Sequence, residues 1–455
     1  MMTNTLSADN LHRTAKYFMD RGTAASHQEA MAMLGRFGLH VHVGADIAAS
    51  AAKQVALLSL VNLGHRTLLG GVRVVGAPEC TNLTTLSTAP TLRDAIATLG
   101  GMCSDAANAV APIAVIGDGE APPNTVVGWR LTWNGWRGGV APLRDQLRLA
   151  DDEHMALAPM VAAACLMTEV FSYHAGDHPM AGRRVAGLSL WRPDVDWREP
   201  SADEPALGYL PSRLWLIGLG NLGQAFCWAL AALPYRDHAE VELVLQDFDT
   251  LATSNASTSM LTFHGDVGKK KARIAAAWLE AHGFKTVIEE RRFGPAIKRE
   301  NAEPGVALCG VDNALARAAL EDADFDFVVE AGLGAGPDGF RGISVHTFPG
   351  SRTARSIWSN VAVAAASVAH MPAYEELVNA GMDECGLAIL ASRTVGVPFV
   401  GLLAATLAIS ELLRRLHGGA TFELISTSSN TLDDVTTIPA EVTTPYSFGH
   451  LAART

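Results

Sequence analysis

The sequence predicts an α/β protein with two Rossmann-like halves, of which the second carries a mostly parallel sheet. A glycine-rich turn lies between an apolar strand-like run and an apolar helix in the middle of the chain. Strand-like and helix-like segments alternate before and after this turn, which is typical of parallel sheets. A proline-rich stretch at residues 190–212 separates the two regions. We therefore place an N-terminal half at residues 1–200 and a C-terminal half at residues 201–455.

The composition is that of a folded protein with large cores. The chain has 455 residues, of which 49% are hydrophobic and 18% are charged, and this length favours about two to three domains. The net charge of −12 argues against a nucleic-acid surface, because phosphate binding needs clustered Lys and Arg. We expect no contact with nucleic acid.

The cysteine pattern predicts a reducing compartment. The six cysteines are scattered without close pairs, so neither a disulfide framework nor a zinc site is expected. The N-terminus has no charged-then-apolar leader. The apolar stretch at 395–410 contains Gly396, Pro398 and Gly401, and it is too short and too interrupted for a membrane span. We expect a buried core helix there and a cytoplasmic protein.

The central turn predicts a nucleotide site. A strand at 214–217 is followed by Gly218, Gly220 and Gly223 at G-x-G-x-x-G spacing, then by a helix at 221–233. A second strand, 241–245, leads to Asp247. The glycines let backbone N–H groups approach phosphates at a helix N-terminus, and the acid accepts from ribose hydroxyls. This motif alone leaves an NAD-dependent oxidoreductase open.

The residues that follow the acid narrow the choice. The patterns D-x-D, S-N, G-x-x-K and D-N-x-x-x-R occur in order, as Asp247, Asp249, Ser254, Asn255, Gly268, Lys271, Asp312, Asn313 and Arg317. This set resembles the adenylyltransferase family of ThiF, MoeB and the ubiquitin-activating enzymes, over residues 211–415. Among bacterial members it looks most like the stand-alone activating enzymes of antiphage operons that conjugate a ubiquitin-like protein.

The resemblance implies ATP and Mg²⁺ as cofactors and a ubiquitin-like carrier protein as substrate. Its C-terminal carboxylate would be adenylated by a site with these cofactor-binding residues: Gly218, Gly220, Gly223, Asp247, Asp249, Asn255, Lys271 and Asp312. Lys271 and Asp312 would also be catalytic, with Mg²⁺ at Asp312. The alternative for Lys271 is a solvated helix face, and for Asp312 a helix N-cap.

One position departs from the family pattern. Thr258 stands where the family has an arginine that reaches the phosphates. The missing cation must then come from elsewhere, and the sequence offers Lys269, Lys270, Arg273, Arg13 and Arg21.

The first half has the outline of the same unit. A strand at 39–43, a helix at 48–63 and a strand at 72–75 surround Gly44, without the second and third glycines or the D-x-D. We interpret it as a degenerate, inactive adenylation half, as in ubiquitin-activating enzymes, so that the chain is an internal pseudo-dimer. An unrelated α/β domain and a further oligomer stay open.

Cys385 is the predicted nucleophile. It lies in a loop-like part of the crossover region, about residues 350–395, where related enzymes form a thioester. The thioester would pass to a conjugating enzyme. The neighbouring Asp383 and Glu384 argue against Cys385 as the nucleophile, since their negative charge disfavours a thiolate. A sulfur-carrier or tRNA-modifying adenylyltransferase without a thioester is the alternative, and a non-catalytic scaffold is a further one.

Before this region, a glycine-dense loop at 331–336 would admit the carrier's tail.

Overall fold

The computed structural model describes residues 7–104, 111–359, 370–441 and 449–454. The α-helices in these ranges are α1 (Lys16–Asp20), α2 (His27–Leu34), α3 (Ala51–Thr67), α4 (Leu92–Thr98), α5 (Leu157–Ala175), α6 (Asn221–Ala232), α7 (Lys271–Ala281), α8 (Ala314–Ala318), α9 (Gly336–Gly339), α10 (Ala354–Trp358), α11 (Pro372–Asn379), α12 (Glu384–Ser392) and α13 (Pro398–Leu416). The β-strands are β1 (Gly38–Val43), β2 (Gly71–Val75), β3 (Met102–Ser104), β4 (Ile113–Ile116), β5 (Gly128–Asn134), β6 (Arg137–Pro142), β7 (Ala186–Ser189), β8 (Tyr209–Pro211), β9 (Arg213–Ile217), β10 (Glu242–Gln246), β11 (Lys285–Glu289), β12 (Val306–Cys309), β13 (Phe327–Leu333), β14 (Gly342–Phe348), β15 (Phe422–Ser428), β16 (Thr431–Pro439) and β17 (His450–Ala452).

Two large sheets organise the chain. Their strand orders are β3-β2-β1-β4-β5-β6-β7 and β11-β10-β9-β12-β13-β14-β15-β16. When the strands are numbered along the chain within each sheet, both orders run 3-2-1-4-5-6-7, and they therefore agree over seven strands. In both sheets the first five strands are parallel and the later ones antiparallel. The predicted α/β class with two Rossmann-like halves is confirmed; the inactivity of the first half stays a prediction.

Four helices lie between the two sheets. Helices α3 and α5 cover the first sheet, α6 and α13 cover the second, and α13 packs against both α5 and α6. A helix that is buried on all sides must be apolar all round, and α13 is buried from Pro398 to Arg414. This confirms the buried core helix predicted for the apolar stretch. No helix in the described ranges has both the length and the apolarity of a membrane span.

The opposite face of the second sheet has its own small core. Trp215 and Phe348 from the strands pack there with Phe293 and Ile297. Because both faces of the sheet are covered, the polar groups of the site must lie at the edge where the strands end.

The structure corrects the expected loop at 331–336. Residues 331–333 continue β13, where Gly332 pairs with Ser344 of β14, and Gly336 begins α9. The pairing partner of β13 is a later strand, so the glycines by themselves could not indicate that the strand continues. Of the expected crossover region at 350–395, residues 360–369 lie outside the described ranges.

The proline-rich stretch at 190–212 is anchored by buried side chains, although about half of its residues are exposed. Trp191 and Trp197 in it are buried, and the buried Arg414 donates to the carbonyl of Leu190 at 2.5 Å. The domain boundary placed in this stretch remains a prediction.

Candidate functional site

The candidate site lies where the strand order of the second sheet reverses. Ile217 at the end of β9 pairs with Gln246 of β10 on one side and Cys309 of β12 on the other. Ligands of doubly wound sheets bind at such a point, beyond the carboxyl ends of the strands. Gly218, Asp247 and the turn that contains Asp312 follow these three strands directly. Three of the predicted binding elements thus meet at one edge.

The glycine turn leaves a helix N-terminus open. Gly218 has φ +83°, a left-handed conformation that favours glycine. A Cβ at Gly223 would lie 1.9 Å from the carbonyl oxygen of Gly218, so only glycine permits this close packing. Helix α6 begins after Gly220 without a side-chain cap. Its first N–H groups are therefore suited to an anion.

Asp247 holds this turn in place. Its Oδ2 accepts the backbone N–H of Leu219 at 2.7 Å, and its Oδ1 accepts that of Asp249 at 2.8 Å. Burial raises the pKa of the Asp247 carboxyl above its usual value, while the charge of Lys271 acts in the opposite direction. Each carboxylate oxygen has further acceptor capacity, so the predicted contact with ribose hydroxyls is compatible with this geometry.

Lys271 is paired with the second acid of the D-x-D pattern. It is the first residue of α7, and its Nζ lies 2.9 Å from Oδ2 of Asp249. The Lys271 side chain is 12% exposed, which argues against the solvated helix face that was its alternative. Helix α7 also begins without a side-chain cap. A cation and a second helix N-terminus therefore lie beside Asp247.

Asp312 is exposed in the turn after β12. It is not the N-cap of α8, because Asn313 caps that helix by accepting a backbone N–H at 3.0 Å. The adjacent carbonyl of Val311 accepts from Nε of Arg317 at 2.7 Å, and Arg317 lies 3.2 Å from the buried Glu330. This ion pair fixes the turn and leaves the Asp312 carboxylate at the surface of the site.

The acids present fit a nucleotide-dependent Mg²⁺ better than a closed metal site. Within the described ranges, no group of three or more His, Cys, Asp or Glu side chains is arranged to hold a metal ion. Mg²⁺ in nucleotide sites typically uses one or two carboxylates and takes its other ligands from phosphates and water. A single exposed carboxylate at Asp312 meets this requirement. The absence of a zinc site stays a prediction.

Residues 254–262, called here the 254–262 loop, cover the site from the side of the first half. Asn255 accepts the backbone N–H of Ala252 through Oδ1 at 2.8 Å, so its amide nitrogen is the group that would donate to a phosphate. Thr258 is 7% exposed, and its hydroxyl donates to the carbonyl of Asn255 at 3.4 Å. The position of the family arginine thus holds a neutral, internally bonded side chain.

Arg13 is the candidate cation that lies beside Thr258. A Cβ at Gly396 would lie 2.6 Å from Cγ2 of Thr258 and 3.3 Å from Cβ of Arg13. Nε of Arg13 donates to the carbonyl of Thr394 at 3.1 Å. Burial lowers the pKa of Arg13 to about 10, and the negative charge of Asp312 is among the opposing influences. Arg13 therefore stays charged at neutral pH and shares the field of Asp312.

The other cations have partners of their own. Lys269 pairs with Asp266, Arg273 with Glu290 and Arg21 with Asp338, while Lys270 donates to the carbonyl of Phe248.

The corresponding helix of the first half is already capped by carboxylate. Ser50 caps α3, and Glu153 accepts the backbone N–H of Ala52 at 2.8 Å and the hydroxyl of Ser50. Asp46 accepts the backbone N–H of Asp118, beyond β4, at 3.1 Å. Groups that would receive a phosphate in the first half are thus occupied by the protein's own acids.

Cys385 lies in a helix and not in a loop, which corrects the expectation. It is the second residue of α12, which Asp383 caps by accepting the backbone N–H of Gly386 at 2.7 Å. Because Asp383 is the N-cap, α12 begins at Glu384, one residue before the cysteine. The sequence pattern predicted a loop-like region there. All six cysteines lie in the described ranges, none of them forms a disulfide, and Cys385 is the exposed one among them. Burial raises the pKa of Cys227 and Cys309 to about 12, so both remain thiols.

Sequence reasoning missed Gln224, which joins the glycine turn to the 254–262 loop. Its Nε2 donates to the carbonyl of Leu219 at 3.2 Å, and its Oε1 accepts the backbone N–H of Leu261 at 2.8 Å. Gln224 is fully buried in an apolar helix. The sequence signal that could have identified Gln224 was a single amide side chain within an otherwise apolar helix.

Two family models match the chain. The model described as the BilD N-terminal domain matches residues 38–190, and the model described as the BilD C-terminal domain matches residues 210–419. The first range covers the first large sheet, and the second contains the candidate site.

Two curated proteins are similar in sequence. The bacterial E1-like protein BilD of Collimonas sp. (strain OK412) is 56% identical over 455 residues, which cover 99% of this chain and 98% of the relative. The NEDD8-activating enzyme E1 catalytic subunit of Caenorhabditis elegans is 26% identical over 152 residues, or 30% of this chain and 34% of the relative. Neither relative is an oxidoreductase by name.

Among solved structures, a crystal structure of E. coli MccB with MccA-N7isoASN aligns with 12% identity and a TM-score of 0.32. The alignment covers 50% of this chain and 64% of MccB.

Proposed function

We propose that this chain, which belongs to the BilD family of bacterial E1-like proteins, uses ATP to activate the C-terminal carboxylate of a ubiquitin-like protein. It then holds that protein as a thioester on Cys385 for transfer to a conjugating enzyme. Membership of the E1-like family supports the adenylating step, and the site geometry supports the assignment of residues.

One observation carries the proposal. The open N-terminus of α6, the acids Asp247 and Asp312, and Lys271 converge at the carboxyl ends of β9, β10 and β12, where Arg13 of the first half joins them. A triphosphate needs such a concentration of N–H donors and cations. A dinucleotide site of an oxidoreductase would not require cations such as Lys271 and Arg13 beside the phosphates.

The first step joins two anions, and the chain's residues serve to reduce their repulsion. A carboxylate oxygen of the carrier attacks the α-phosphorus of ATP, and the bond to the β-phosphate oxygen breaks to release pyrophosphate. Lys271 and the N–H groups of α6 would hold the phosphates in line. Arg13 would stand near the attacked phosphorus, in place of the family arginine. Asp312 would hold Mg²⁺, which would supply further charge neutralisation.

In the second step the thiolate of Cys385 attacks the acyl carbon, a thioester forms and AMP leaves. The exposure of Cys385 supports this role. So does its connection to the site, because the segment after α12 lines it. Thr394 accepts from Arg13 at 3.1 Å, and the carbonyl of Val397 accepts from Asn221, the first residue of α6, at 3.0 Å.

The proposal also includes the oligomeric state and the cellular compartment. One chain supplies both halves of the pseudo-dimer, so the site needs no second copy, although a larger assembly stays open. A reducing cytoplasm would keep the Cys385 thiol available.

Thermal unfolding with Mg·ATP or NAD tests the nucleotide, since a ligand that binds the folded state raises the melting temperature. We expect a rise with Mg·ATP alone. The second test adds a candidate ubiquitin-like carrier protein and measures pyrophosphate release and a reductant-sensitive adduct. Stabilisation by NAD and not by ATP would overturn the proposal.

A further inference from the structure

Arg66 is a buried cation of the first half whose partners lie in the second half. It occupies the last turn of α3 and is 3% exposed. Its Nη1 donates to the carbonyls of Ala256 and Thr262 at 2.8 and 2.6 Å, and its Nη2 donates to the carbonyl of Met260 at 2.7 Å. All three acceptors belong to the 254–262 loop.

Neighbouring side chains fix the orientation of the Arg66 guanidinium. Nε of Arg66 donates to Oδ1 of Asn62, one turn earlier in α3, at 2.8 Å. Nδ2 of Asn62 donates in turn to the carbonyl of Met260 at 3.1 Å. The Phe263 ring lies 5.2 Å from the guanidinium carbon, at cation–π distance. The fork of Arg66 is therefore held rigidly against the loop.

The charge of Arg66 has no acidic counterpart in its surroundings. Among the ion pairs of residues 7–104, 111–359, 370–441 and 449–454, none includes Arg66, and its hydrogen bonds reach only carbonyls and one amide. Burial lowers its pKa to about 9, which still leaves the group charged at neutral pH. An uncompensated charge acts over longer distances in a low-dielectric interior than in water.

The loop that Arg66 holds carries the groups predicted to meet the phosphates. Asn255 is predicted to donate to a phosphate, and Thr258 stands at the position of the family arginine. Nε2 of Gln224 donates to Oγ1 of Thr262 at 3.1 Å and to the carbonyl of Leu219 at 3.2 Å, which links the loop to the glycine turn. Thr258 brings no charge, so the loop itself contributes no cation to a triphosphate.

We infer that Arg66 is a positioning residue of the ATP site: from the first half, it fixes the 254–262 loop and adds positive potential behind that loop. This inference rests on the proposed function and deepens it. It also gives the first half a task in catalysis that does not require a nucleotide of its own.

The test compares the affinities for Mg·ATP and adenosine in Arg66→Met, Arg66→Lys and Arg137→Met. Arg137 is the matched control, because it is also buried in the first half and donates to the carbonyl of Arg198 at 3.1 Å, away from the loop. We expect Arg66→Met to raise the Kd of Mg·ATP at least tenfold and to leave that of adenosine within twofold. A purely structural role would weaken both ligands together.

Arg66→Lys keeps the charge and loses the fork, so we expect a smaller rise in the Kd of Mg·ATP, about threefold, in a chain with near-normal melting temperature. If Arg66→Met does not fold, Arg66→Lys provides the test. Its Kd for Mg·ATP should then rise more than its Kd for adenosine. A ratio of these two Kd values equal to that of Arg137→Met would overturn the inference and leave the proposed function intact. A wild-type chain that binds no ATP would overturn both.

Discussion

Arg13 and Thr394 are joined across the candidate site: Nε of Arg13 donates to the carbonyl oxygen of Thr394 at 3.1 Å. The backbone N–H of Arg13 also donates to Oγ of Ser257 at 3.1 Å. One residue of the N-terminal segment therefore contacts the 254–262 loop and the segment after the Cys385 helix. This places an arginine of the first half in the wall of a site built by the second half.

Lys271→Met should reduce pyrophosphate exchange in the presence of the ubiquitin-like partner by at least about 100-fold, because a preorganised cation is lost from the phosphates. The matched control is Lys269→Met. The Lys269 side chain is 56% exposed and paired with Asp266, so the control should exchange at nearly the wild-type rate. Equal rates in both variants would remove Lys271 from the site.

Arg13→Ala should lower the rate of exchange more than it weakens ATP binding, since a cation near the attacked phosphorus acts mainly in the transition state. Arg21→Ala serves as the control, because Arg21 pairs with the exposed Asp338 at 3.7 Å. The measurement is kcat and KM for ATP in the exchange reaction. A variant with unchanged kcat would show that another group replaces the missing family arginine.

Cys385→Ala should leave exchange unchanged and abolish the reductant-sensitive adduct with the ubiquitin-like protein, because the thiol acts only after adenylation. Cys103→Ala, which changes a half-buried thiol, should retain both. Non-reducing gel electrophoresis provides the measurement. Persistence of the adduct in Cys385→Ala would assign the nucleophile to another residue.

One molecule of ATP should bind per chain. In the first half, Glu153 and Asp46 already occupy backbone N–H groups that phosphates would need. Isothermal titration calorimetry with Mg·ATP gives the stoichiometry. Two sites of similar affinity would contradict the interpretation of the first half as inactive.

The protein should lose stability on mild acidification through His12. Burial, and then the charge of His27, lowers the pKa of His12 to about 4, whereas the unfolded chain titrates near 6.5. Between these values the unfolded state binds more protons, so the free energy of unfolding falls as the pH falls. From pH 7 to 5, His12 should account for about 2 kcal/mol.

The melting temperature measured across this range tests the assignment. His12→Asn should show a shallower decline than the wild type. His154→Asn should follow the wild type, because the His154 side chain is 73% exposed. Parallel curves for wild type and His12→Asn would place the acid sensitivity elsewhere.

The sequence by itself determined the strand, turn and helix around Gly218, because each depends on local periodicity and on backbone freedom at a few positions. It also predicted a buried core helix in the apolar stretch at 395–410, which the structure contains as part of α13, Pro398–Leu416. The resemblance to an adenylyltransferase rests on the same kind of information: short motifs in a fixed order along the chain.

Only the tertiary structure decided which of five cations lies beside Thr258. The bond between Arg13 and Ser257 joins residues 244 positions apart, and no local pattern encodes such a contact. The antiparallel strands β6, β7, β15 and β16 were missed because a strand's partner is chosen by packing. The bonds of Arg66 to the 254–262 loop, and the contact of Glu153 with the start of α3, depend in the same way on how distant parts of the chain come together.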